Sequence, residues 1–255
     1  MIETFKRQIR SITGREGRKV YVYLPDAYLD DPEARFPVLY MFDGHNVFFD
    51  EDATYGKSWG MKEFLEEHEV PLMVVAVDCN HHPDNGRLSE YSPYDFRDEA
   101  FGSVHGRGDL FMEWLTGKLK PEIDRRYPTL PERENTFIAG SSMGGLMSLY
   151  AITAYNRVFS RAAALSPSIW VNGRRLRKQI READMAPDTV IYLDYGSREL
   201  ENHEAMLHEF TLTASALMER GLWVNARIVP NGDHSEECWE EQVPFFMETL
   251  AYSRE

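Results

Sequence analysis

Gly140-Ser141-Ser142-Met143-Gly144 sets one hydroxyl, that of Ser142, midway between two glycines. A short apolar strand signal, Asn135–Ala139, precedes it, and an apolar helical run, Leu146–Tyr155, follows. A serine on so tight a strand-to-helix turn has the form of a nucleophile elbow. Side chains at positions 140 and 144 would collide with the adjoining strand and helix, so glycine there leaves Ser142 exposed at the strand's carboxyl end. The chemistry implied is attack of a serine oxygen on an acyl carbon.

A serine hydroxyl is a weak nucleophile at neutral pH and needs a base, itself oriented by an acid. On a sheet-borne elbow the chain order is serine, acid, histidine. Three histidines follow Ser142: His203, His208 and His234. The first two fall in an acidic amphipathic stretch, where a solvated or packed histidine is the ordinary outcome. His234 lies in Val229-Pro230-Asn231-Gly232-Asp233-His234-Ser235, between the last strand signal and the terminal helix, and is the expected base. The acid is expected after Val190–Leu193, where Asp194, Glu199 and Glu201 compete. Asp194 ends the strand, Glu199 lies beyond Gly196-Ser197, and Glu201 opens a helix whose dipole favours an acid. Two backbone N–H groups must face the developing oxyanion. Met143, directly after the nucleophile, is one candidate. The other is His45 in Asp43-Gly44-His45-Asn46, where Gly44 permits an unusual turn and Asp43 is expected to brace the loop.

The elements that must position these residues read as a mostly parallel α/β sheet of about eight strands flanked by helices. Strand signals fall at Thr4–Ile12, Lys19–Leu24, Val38–Phe42, Leu72–Val77, Thr136–Ala139, Arg161–Leu165, Val190–Leu193 and Asn225–Val229. The first two, joined through Gly14 and Gly17, form an expected antiparallel edge hairpin. Helices are expected at Trp59–Glu67, Asp109–Arg126, Gly145–Tyr155, Arg174–Glu182, Glu201–Glu219 and Glu236–Tyr252, with Pro121 kinking or dividing the second. The irregular stretch Asn80–Gly108 is too long for an idle connection. Its Tyr91, Tyr94, Phe96 and Phe101 either wall a cleft or anchor the loop.

At 255 residues, 43% hydrophobic and 27% charged, the chain suits one soluble domain, residues 1–255, with no repeat or linker. A net charge of -14 argues against nucleic-acid binding. The first residues lack a secretory apolar core and no apolar run suits a membrane span, so a cytoplasmic protein is expected. Only Cys79 and Cys238 are present, which fits a reducing compartment, and Cys79 reads as a packed thiol. No metal spacing stands out, His81-His82 reads as a polar loop, and no cofactor is expected.

Several blocks in order resemble the esterase D, antigen 85 and enterochelin-esterase-like group of esterases. They are Asp43–Asn46, Leu119–Asp124 ahead of Tyr127, Ile138–Leu146, Phe159, Ala164–Trp170, and Asp233-His234-Ser235 with Trp239. The resemblance implies an α/β-hydrolase fold without a cofactor, its nucleophile on Ser142, its base on His234 and an oxyanion donor on His45. It also favours Glu199 as the acid, through Gly196-Ser197-Arg198-Glu199. Two branches fit less well: the signal peptide of secreted mycolyltransferase-like relatives is missing, and Ser141 replaces the elbow cysteine of the glutathione-thioester branch. The expected activity is hydrolysis of a small-molecule ester, with Trp170, Trp59, Tyr94, Phe96 and Trp239 as pocket candidates. An acyltransferase with the same triad, or a non-catalytic hydrolase-like binding protein, is the alternative, and the oligomeric state is open.

Overall fold

Every side chain of Val38–Phe42 and Met73–Val77 is buried, which requires cover on both faces of a sheet. A computed structural model of the chain describes residues 1–31, 33–199 and 203–251. Its strands are β1 (Ile2–Gln8), β2 (Gly17–Tyr23), β3 (Val38–Phe42), β4 (Met73–Val77), β5 (Phe96–Asp98), β6 (Gly102–Val104), β7 (Thr136–Ser141), β8 (Arg161–Leu165), β9 (Val190–Gly196) and β10 (Trp223–Val229). Its α-helices are α1 (Arg10–Thr13), α2 (Ala27–Asp30), α3 (Met61–Glu67), α4 (Gly86–Glu90), α5 (Gly108–Trp114), α6 (Lys120–Arg126), α7 (Met143–Ala154), α8 (Gly173–Glu182), α9 (His203–Met218) and α10 (Glu236–Ala251).

Eight strands form one sheet in the order β1-β2-β4-β3-β7-β8-β9-β10, and β5 pairs with β6 in a separate ribbon. Only β2 runs against the others of the large sheet, pairing antiparallel with β1 and β4. The reversed order of β3 and β4 sets β3 beside β7, with Met41 opposite Ala139. The turns carrying Asp43 and Ser142 therefore leave neighbouring strands at the carboxyl edge, where open α/β sheets bind ligands. One face packs Leu146, Leu149 and Phe159 against Ile138, and the other packs Trp59, Trp239 and Phe246 around Leu39 and Tyr192.

The structure departs from the sequence pattern in three places. β1 ends at Gln8, because Arg10–Thr13 curl into a helical turn before Gly14, at φ 61°, reverses the chain. The helix expected over Asp109–Arg126 is divided: a π turn over Leu115–Leu119 separates α5 from α6, with Pro121 in the first turn of α6. Proline lacks an N–H and crowds the preceding turn, and a widened turn accommodates both effects. Finally, Asn80–Gly108 is not irregular throughout, since it holds α4 and the β5–β6 ribbon.

Helix α4 is fixed to the sheet by charge. Arg18 on β2 donates from Nη2 to Glu90 Oε2 at 2.7 Å, both groups buried, and also to the Cys79 carbonyl. Burial pushes the Glu90 carboxyl up even beside this arginine. Arg18→Met should lower stability by about 3–5 kcal/mol, because it strands a buried acid. Adding Glu90→Leu should recover most of that loss. Urea unfolding of the two variants checks this, and a double variant no more stable than the single one would refute it.

Candidate active site

Ser142 sits between β7 and α7 at φ 57°, ψ −121°, a conformation that L-residues avoid. Hydrogen bonds hold it there: its N–H donates to the Leu165 carbonyl at 2.9 Å, and its carbonyl accepts from Ser168 N–H at 2.9 Å and Leu146 N–H at 3.0 Å. A Cβ on residue 140 would lie 2.8 Å from the Gly144 backbone, and one on residue 144 would lie 2.9 Å from Phe42 Cβ. The two glycines thus let strand, helix and β3 meet. The Ser142 hydroxyl lies 3.4 Å from Ser168 Oγ. Met143 opens α7, so its N–H is one of the first-turn donors that no intrahelical carbonyl can satisfy.

Glu199 is buried, 1% exposed, and its Oε2 lies 3.0 Å from His234 Nδ1. Its Oε1 accepts from Gly196 N–H at 2.8 Å and from the Ser166 hydroxyl. Ser166, itself at φ 42°, accepts from Trp239 Nε1 at 3.0 Å. The loops of acid and histidine are also tied by backbone, Ser197 N–H to the Val229 carbonyl at 2.9 Å and Arg198 N–H to the Gly232 carbonyl at 2.8 Å. Asp194 faces elsewhere: it accepts from Tyr192 Oη at 2.8 Å and Ser166 N–H at 2.9 Å. Glu201 lies outside the described residues, as does the side chain of His203, while His208 is exposed on α9.

The third component is the turn after β3. There the left-handed residue is Asp43, at φ 54°, rather than Gly44. Gly44 contributes room instead, since a Cβ would lie 2.8 Å from the Ala76 backbone. Arg87 of α4 holds both Asp43 carboxylate oxygens at 2.7 Å, and Asn46 Nδ2 donates to Glu236 Oε1 at 3.0 Å. The turn is therefore anchored at both ends. His45 is buried within it.

Ser142 and His234 both line a cleft with two lobes, and Arg87 and Leu88 lie at their junction. The polar lobe is bounded by His45, Asn46, Asn80, His81, Asn85 and Trp239. The other lobe is more apolar, with Phe101, Met143, Trp170 and Met206. Phe101 stacks on Trp170 at 6.3 Å between ring centroids, and Phe96 supports it edge-on at 5.6 Å. Trp59, Tyr94 and Phe96 line neither lobe. Trp59 packs behind Trp239, and Tyr94 donates its hydroxyl to Gln179. No sequence motif marks Arg87, Leu88 or Met206 as part of the cleft. Ser166 lay within a recognisable block, but nothing local marked Arg87 as the partner of Asp43.

A serine on a strained turn at the carboxyl end of a central strand, in a mostly parallel eight-stranded sheet, defines the α/β-hydrolase fold. The family model "Putative esterase" matches residues 11–251, and the chain belongs to that family of carboxylic ester hydrolases. Uncharacterized protein YbbA of Bacillus subtilis is 25% identical over 212 residues, covering 80% of this chain and 79% of that protein. Ferri-bacillibactin esterase BesA of Bacillus subtilis is 26% identical, with 65% of this chain aligned to 59% of its length. Among solved structures, the BES protein from Bacillus cereus superposes with a TM-score of 0.73 at 19% identity, over 99% of this chain and 95% of that one. An IroE-like serine hydrolase from Shewanella oneidensis gives 0.74 at 16%, over 98% and 79%. Among the described residues, no helix is long and apolar enough to cross a membrane.

Burial pushes the Asp194 carboxyl up to about 7, outweighing its two hydrogen bonds. With a folded pKa above the unfolded one, its contribution to stability is full below about pH 4 and is lost as pH rises through about 7. Asp194→Asn removes this titration. Between about pH 5 and about pH 8, wild type should lose on the order of 2–3 kcal/mol relative to the variant. Urea midpoints at the two pH values test this, and parallel pH profiles would refute it.

Proposed function

We propose that this protein is a serine esterase in which Ser142 is the nucleophile, His234 the base and Glu199 the orienting acid. The observation that carries the reading is the 3.0 Å contact from buried Glu199 to His234 Nδ1, with the imidazole facing the same cleft as the elbow serine. With Nδ1–H held by Glu199, Nε2 is left with a lone pair for the serine proton. The Ser142 hydroxyl leaves Ser168 for His234, and its oxygen attacks the ester carbonyl. The N–H groups of Met143 and His45 stabilise the tetrahedral oxyanion. His234 then gives its proton to the departing alcohol, activates a water, and the acyl group is released from Ser142.

The unequal lobes suit an ester with one polar arm and one flat apolar arm, the latter against Trp170. The similarity to the Ferri-bacillibactin esterase and to structures described as enterobactin esterase and ferulic acid esterase supports a siderophore or aromatic ester as substrate. The net charge of -14 supports a protein that binds no nucleic acid, and the free thiols of Cys79 and Cys238 support a reducing cytoplasm.

A panel of siderophore, feruloyl and short acyl esters tests the assignment. Ser142→Ala should lower kcat by about 10^4-fold or more, and Glu199→Gln by about 10^2- to 10^4-fold, with circular dichroism unchanged. Full turnover by Ser142→Ala would overturn the nucleophile, and wild-type kcat in Glu199→Gln would overturn the acid.

A further inference from the structure

The exits of β3 and β4 bring four metal-binding side chains together next to the elbow. His45 comes from the turn after β3, while Asp78, Cys79 and His81 come from the segment leaving β4. One donor atom from each lies within 4.8 Å of all the others. Asp78 Oδ1 is central, 2.7 Å from His45 Nδ1 and 2.8 Å from His81 Nε2. The Cys79 sulfur lies 3.9 Å from the other ring nitrogen of His81, Nδ1, and the ring offers a single ion one of its two nitrogens.

Hydrogen bonding alone leaves part of this cluster unsatisfied. His45 Nδ1 is buried and makes no well-directed hydrogen bond, although the Asp78 oxygen is so near. On its far side, His45 Nε2 meets Thr54 Oγ1 at 2.9 Å, which fixes the ring with Nδ1 turned into the cluster. The Cys79 N–H likewise orients Asp78 Oδ1 at 2.8 Å. Outer partners that fix ring and carboxylate in this way are what metal ligands require.

We propose that His45, Asp78, Cys79 and His81 form a binding site for a divalent cation of the zinc type. Two imidazoles, a carboxylate and a thiolate match four-coordinate Zn²⁺, whereas Mg²⁺ and Ca²⁺ take oxygen donors. Bonds of about 2.0–2.3 Å place tetrahedral ligands roughly 3.3–3.7 Å apart. The carboxylate therefore withdraws from the two rings by less than about 1 Å, and the sulfur moves inward. The His81 side chain is 58% exposed and lines the polar lobe, which gives the cation its way in. Binding breaks the Cys79 S–H bond, forms a metal–sulfur bond and releases the proton to solvent. Thiolate and carboxylate then balance the two positive charges. Spacing within the sequence hid the site, because His45 arrives from a different strand. An occupied site ties the Gly44–Asn46 turn to the exit of β4, and it does not depend on the esterase mechanism.

Calorimetry of the full chain with Zn²⁺, and absorption spectroscopy with Co²⁺, test the site. One ion per chain, proton release and a thiolate-to-cobalt charge-transfer band are expected. Cys79→Ser should abolish that band, and His81→Ala should weaken Zn²⁺ binding by about 10-fold or more. His82→Ala, at an exposed neighbouring histidine, and His234→Ala should leave binding unchanged. Since His81 is largely exposed, its replacement leaves the fold intact. Absence of stoichiometric Zn²⁺ binding, equal affinity in His81→Ala, or loss of binding in His234→Ala would overturn the proposal.

Discussion

The site depends on a serine held where its backbone would not rest by itself. Positive φ at a non-glycine residue costs on the order of 1–3 kcal/mol and persists only where the surroundings over-determine it. At Ser142 they do. The neighbouring β8 exit supplies the Leu165 carbonyl as an acceptor and the Ser168 N–H as a donor, and α7 closes its first hydrogen bond on the Ser142 carbonyl. All of this requires β7 to lie between β3 and β8, with helix α7 pressed so close that Gly144 meets Phe42. The strain is thus balanced by sheet order. The same packing places Met143, the first residue of α7, on the wall of the cleft.

Two buried carboxylates share Ser166, at the exit of β8, and their surroundings separate them. Like charges at short range cannot both ionise cheaply in a buried site. Glu199 meets a backbone N–H, the Ser166 hydroxyl and the imidazole. Asp194 has fewer donors and complete burial, which raises its pKa. Ser166 serves both, with its hydroxyl on Glu199 and its N–H on Asp194. The acid that faces the histidine is the one with more donors.

This explains which parts of the site were legible in the sequence. The elbow is a local device whose two glycines and flanking apolar runs sit within a few residues, so the strand-to-helix turn that carries Ser142 could be read directly. The loop that carries His234, between β10 and α10, was legible in the same way. The contest among Asp194, Glu199 and Glu201 could not be resolved locally, because it depends on how the Gly196 turn meets the Gly232 loop across β9 and β10. A Cβ on residue 196 would lie 2.5 Å from the Gly232 carbonyl, a contact invisible to spacing. The central strands were legible because their burial is nearly uniform. The short β5–β6 ribbon and α4 were not, since their three to five residues carry no periodicity. Trp59 and Tyr94 show the limit of composition: large aromatics near a site serve equally well behind its walls.

Arg87 shows how that long segment contributes to the cleft. Its guanidinium grips both oxygens of Asp43, the residue that turns the chain into Gly44–Asn46, and it also stands where the two lobes meet. Helix α4 is too short to hold this arginine by its own hydrogen bonds. It is held instead from the sheet, through Glu90 and Arg18. The geometry of the turn after β3 therefore rests on two charged contacts in series, one buried and one opening on the cleft. The inner pair is sealed from solvent, while the outer arginine, held by Asp43, lines the cleft.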